Sequence, residues 1–139
     1  MKKQEQIIRF QWETQLQYDY RVETGKVIKN AGVILGNLEK VQKQDPKEII
    51  IINEFNKLNN RLNNLIVPEL YTEIHDYLTK CMNNYYKASE KLVNGLKTKD
   101  SALAIQAGQL IKKGTCFMEI SKLEIFEIVQ QQEENLNKK

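Results

Sequence analysis

Few residues in this sequence are equipped for chemistry. There is one histidine, His75, and there are two cysteines, Cys81 and Cys116. Helical proteins often hold a di-iron centre between glutamates and Glu-x-x-His pairs on facing helices. Here Thr72, not a carboxylate, stands three residues before His75, and there is no second histidine. A cysteine nucleophile needs a base within hydrogen-bond reach. Cys81 lies six residues beyond His75, off the spacing of three or four that shares a helix face. The separation of Cys81 from Cys116 matches neither a zinc-ligand pattern nor a CxxC redox pair. Both are expected to behave as small hydrophobes, with one bridge between helices as the alternative in an oxidising compartment. The glycines fall inside helical patterns, not between a strand and a helix, so no phosphate-cradling loop is expected. These spacings assign no catalytic, metal or cofactor residue, and the expectation is that the protein is not an enzyme.

The remaining polar patterns are bland. Asn53, Asn56, Asn60 and Asn63 recur at three and four and read as a solvated flank. Lysines at 80, 87, 91, 112 and 113 give a modest basic surface whose usual role is solubility. The net charge of +3 arises from basic residues scattered among acids, so nucleic-acid binding is not expected. No apolar run approaches the roughly 20 residues of a membrane span. Met1-Lys2-Lys3 is followed by Gln4-Glu5-Gln6-Ile7-Ile8-Arg9-Phe10, which lacks the apolar region of a signal peptide.

The elements that would position any site are helices. With 139 residues, 41% of them hydrophobic, and only two prolines, the chain suits one helical domain that needs no disulfide or metal to make a core. Periodicity and punctuation predict helices over about 4–43, 46–65, 68–94 and 101–132, with a frayed tail at 133–139. Val27, Ala31, Ile34, Leu38 and Val41 mark the seam of the first helix, and a bend or phase change is expected near Gly25. Asp45-Pro46 and Val67-Pro68-Glu69 read as helix starts, Asn94-Gly95 as a helix end and Asp100 as a cap. The fold class is therefore all-α, an antiparallel four-helix bundle with long first and last helices.

Two packing expectations follow. Glycine inside a helix costs about 1 kcal/mol against alanine, so something should offset it. The simplest candidate is close packing of helices one and four near Gly32, Gly36, Ala104 and Gly108. The second expectation comes from length. A helix of about 40 residues spans about 60 Å, twice the reach of helix two. The start of helix one and the end of helix four should then project together as an apolar arm. Its residues Ile8, Trp12, Leu16, Ile125, Phe126 and Val129 form the expected interface for a second copy or another protein. A fold-back at Gly25 is the alternative. A small apolar ligand held between helices, in a cavity left by Ala104, Ala107 and Gly114 beside Tyr77 and Tyr85, is the alternative function.

The stretch from Val67 to Gly114 carries a recognisable pattern. It runs Val67-Pro68-Glu69-Leu70, His75, Tyr85-Tyr86-Lys87-Ala88, Leu92 to Asp100, Ala107, Ile111 and Lys113-Gly114. It resembles a helical hairpin of small, uncharacterised bundle proteins of Gram-positive bacteria and their mobile elements, some of them predicted lipoproteins. The resemblance covers about a third of the chain and rests on caps, a turn and a heptad seam. It implies the bundle fold and no functional residues. The sequence departs from that group in showing no leader and no lipobox cysteine. The expected location is the cytoplasm, or the cell surface or exterior if a leader has been removed. The expected role is a non-enzymatic interaction module or small regulator, a homodimer acting through helix–helix contacts.

Overall fold

Proline, aspartate and one left-handed residue divide the chain into four packed helices with no strand among the described residues. The computed structural model describes the backbone of residues 8–39 and 47–138, with side chains over 8–37 and 52–138. The helices are α1 (Gln15–Glu39), α2 (Lys47–Asn63), α3 (Thr72–Thr98) and α4 (Ser101–Asn137). Pro68 leads into a 3-10 turn, Glu69–Tyr71, before α3 begins. The expected cap at Asp45-Pro46 and the stretches 4–7 and 40–43 lie outside the described residues. The result is an all-α bundle in which α4 packs on α3, α3 on α2 and α2 on α1.

Lys99 and Asp100 join α3 to α4 and reverse the chain. Lys99 adopts the left-handed conformation, φ 56°, and its N–H donates to the Gly95 carbonyl. The Asp100 N–H donates to the same carbonyl at 2.9 Å. The Asp100 carboxylate accepts from the Ala102 N–H at 3.0 Å, capping α4 as its spacing predicts. Asn94-Gly95 does not end the helix. Gly95 is buried one turn inside it, and a Cβ there would meet the Asp100 carbonyl oxygen at 3.0 Å and Leu103 Cβ at 3.1 Å. The glycine serves close approach to the reversing chain rather than a turn of its own.

The α3–α4 interface depends on a second glycine. The Tyr85 ring lies against Gly114 so closely that an added Cβ would stand 2.6 Å from its Cε1. The Tyr85 hydroxyl shares a hydrogen bond of 2.9 Å with Thr115 Oγ1. The cavity expected beside Tyr85 is thus filled by Tyr85 itself, while Tyr77 stacks on Phe117 at 6.2 Å between centroids. Small hydroxyls line the same interface without cost. Ser89 donates to the Tyr86 carbonyl at 2.6 Å and Ser121 to the Phe117 carbonyl at 2.9 Å. Each satisfies itself on its own helix and needs nothing from across the seam. On the other side of α3, Phe55 of α2 meets Tyr85 at 5.8 Å between centroids. Val27, Ala31, Leu62, Ile74 and Leu78 complete the buried core.

Three expectations are corrected. α1 runs unbroken through Gly25; buried Thr24 donates to the Tyr20 carbonyl at 2.8 Å, so the polar seam position carries its own partner. The tail is helical to Asn137. The close packing at Gly32, Gly36, Ala104 and Gly108 does not occur. Among the described residues nothing lies within 4 Å of a Cβ built on Gly32, Gly36 or Gly108, and Ala104 is exposed. The extensive helix contacts are those of α4 with α3, α3 with α2 and α2 with α1, so these glycines of α1 and α4 do not form a seam. Gly114→Ala is therefore expected to lower stability by about 1–3 kcal/mol through overpacking. Gly32→Ala and Gly108→Ala should each raise it by about 1 kcal/mol through helix propensity. Thermal unfolding followed by circular dichroism reads all three signs.

Candidate interaction surface

Several polar groups at the end where α1 begins are bonded to one another. Residues 8–14 are not helical but form a strap over that end. Its anchor is Glu13, whose side chain has no solvent exposure. The Glu13 carboxylate accepts from Arg21 Nε at 2.7 Å, from Arg21 Nη2 at 2.8 Å and from the Phe10 N–H at 2.8 Å. Arg21 also donates to the Ile8 carbonyl at 2.7 Å and lies 4.4 Å from the Phe10 ring centroid. The Glu13 hydrogen bond raises the Arg21 pKa further, so the guanidinium stays charged.

An aromatic cluster sits beneath the strap. Tyr20 stacks on Tyr71 at 5.3 Å, and its hydroxyl shares a hydrogen bond of 2.9 Å with His75 Nδ1. Burial raises the Tyr20 pKa, and burial together with the Glu13 charge pushes that of Tyr71 up to about 12. Burial lowers the His75 pKa, favouring neutral imidazole. Tyr20, Arg21, Thr24, Tyr71 and Ile125 line a small cavity here, and the Tyr71 hydroxyl has no hydrogen-bond partner among the described residues. Cys81 is fully buried, and desolvation pushes its thiol up to about 12. Cys116 lies on the exposed side of α4. No group of three or more potential metal ligands occurs among the described residues.

The structure separates the six residues expected to form one apolar arm. Ile8 is exposed on the strap. Trp12 stacks on Phe10 at 5.5 Å, and its Nε1 donates to Glu133 near the end of α4 at 3.1 Å. Leu16, in the first turn of α1, lines a groove with Glu23, Leu65 and Ile66. Ile125 packs against the core and Val129 is half-buried. Phe126 is exposed. The arm is corrected: the described part of the N-terminal segment is a strap clasped to α4, not a helix paired along it. The reason is the buried Glu13 carboxylate, whose bonds to Arg21 and the Phe10 N–H are incompatible with an α-helix through 10–13.

An apolar face remains open elsewhere. On α4, Ile105 is 63% exposed, Ile120 38%, Leu123 62% and Phe126 66%. Ile105, Cys116, Ile120 and Leu123 are spaced by eleven, four and three, so they share the side of α4 opposite its buried Ala107, Gly114, Met118 and Ser121. Ile105 escaped the sequence reading because it stands three turns from its nearest large partners. The spacing of eleven was the available signal. No helix among the described residues is long and apolar enough to cross a membrane.

No family model matches the chain, and no curated protein or solved structure matches it.

Two predictions test this geometry. Glu13→Ala removes the buried acceptor of Arg21 and of the Phe10 N–H, and is expected to cost about 1–3 kcal/mol. Red-shifted Trp12 fluorescence in the folded variant would report release of the strap. A thiol reagent should modify Cys116 rapidly in the native protein and Cys81 only after denaturation. Equal rates would refute the placement of both.

Proposed function

We propose that this chain is a non-enzymatic protein-interaction module, a small cytoplasmic regulator or inhibitor, that acts through helix–helix contacts on the outer face of α4. The observation that carries the reading is the row Ile105, Ile120, Leu123 and Phe126 on a helix already packed on its opposite side. Large apolar side chains held in water at helical spacing suit an apolar partner helix. The rigidity of α4, fixed by Tyr85 against Gly114 and by the cap at Asp100, presents that row without an ordering cost. The reactive groups inside the bundle support a non-catalytic role, because each is used structurally. Glu13 is taken by Arg21, His75 Nδ1 by Tyr20, and the Cys81 thiol is held protonated.

The test is site-specific photocrosslinking in the native host. A benzophenone amino acid at Phe126 is expected to give discrete protein adducts. The same group at Asn83, exposed on α3, should give none. Adducts should disappear when Leu123→Lys is added, with helicity unchanged. No adduct at Phe126, or an equal pattern at Asn83, would refute the reading.

A further inference from the structure

Charge along α4 is divided unevenly. Before residue 117 the helix carries only Lys112 and Lys113. From Glu119 onward it carries Glu119, Glu124, Glu127, Glu133 and Glu134, against Lys122 alone before the helix ends. Lys112, Lys113, Glu119 and Glu127 are all exposed, and all border the apolar row. Of these four, among the described residues, only Glu119 has an ion-pair partner, Lys122 at 3.7 Å, in an exposed pair worth little. Near the edge of this face, desolvation and the neighbouring Glu73 raise the Glu124 pKa.

From this pattern we infer that the partner of the α4 face is a second copy of the chain, its α4 running antiparallel to the first. The inference rests on the interaction reading above and names the partner it leaves open. A parallel pair would set the acidic halves side by side. An antiparallel pair sets the basic half of each helix beside the acidic half of the other, which fixes both partner and direction. The contact is isologous, as a two-fold dimer requires. One register brings charge and apolar contacts together over 112–127, with Ile105 left level with Asn135 of the other copy. With the two-fold axis beside Ile120, Glu127 of one copy falls next to Lys112 and Lys113 of the other. Leu123 then lies over Cys116, and Ile120 meets its own counterpart. Phe126 falls level with Lys113 of the other copy. Cys116 and its counterpart stand eight residues apart along the axis, about 12 Å, too far for a disulfide.

The register is tested by a cysteine pair. Leu123→Cys, oxidised with copper phenanthroline, should give a covalent dimer on a non-reducing gel. Wild type, with Cys116 as its exposed thiol, should give none. A covalent wild-type dimer, or a monomeric Leu123→Cys variant, would overturn the register. Partner identity is tested by light scattering across a concentration series. The wild type should approach twice its monomer mass. Lys112→Glu with Lys113→Glu should weaken association by about tenfold or more, and adding Glu127→Lys should recover part of it. Circular dichroism confirms that each variant is folded. A wild-type monomer at all concentrations would overturn the second-copy inference. Phe126 adducts to a different protein would in that case leave the interaction reading standing, and their absence would remove both.

Discussion

The closeness of α3 and α4 is the constraint on which the rest of this molecule depends. Gly114 admits the Tyr85 ring, and Gly95 admits the start of α4 over the end of α3. A methyl group at either position would push the helices apart. Because they touch this closely, Tyr85 can reach Thr115 with its hydroxyl and Phe55 with its ring. One aromatic side chain thus connects α4, α3 and α2.

Buried polarity is handled in two ways. Along the α3–α4 seam, serines bond to their own helix, so they fill space without specifying a neighbour. At the end where α1 begins, polarity is directional. Glu13 needs Arg21 and the Phe10 N–H, and Tyr20 needs His75. An apolar stripe would tolerate sliding of α1 against α3, but the Tyr20–His75 bond does not. The stripe supplies burial, and the polar cluster selects one register from those the stripe allows.

Helix existence was readable in the sequence because it rests on local physics: Pro68, the cap at Asp100, and the seams of Val27 to Ile34 and Ile74 to Leu78. What was not readable depends on distant contacts. Gly95 resembles a helix terminator and Gly32 resembles a packing notch, yet a glycine does not announce which side of its helix faces a neighbour. Ile8, Trp12 and Leu16 follow helical spacing, but a buried carboxylate at Glu13 outweighs that rhythm and converts the segment to a strap. The candidate surface was half legible. Phe126 was identified, whereas Ile125 proved to belong to the core and Ile105 stood outside the heptads considered.

The clasp between Trp12 and Glu133 joins residues 121 positions apart, whereas α3 and α4 are joined by only Lys99 and Asp100. The loop-closure entropy of these two contacts differs greatly, and so does the order in which they are worth forming. Closing the hairpin costs little chain entropy, and closing the strap costs far less once the helices beneath it are in place. On a ribosome the sequence of events is sharper. The strap is made before its receptor on α4, so Phe10 and Trp12 stay without that clasp at least until Glu133 has been added.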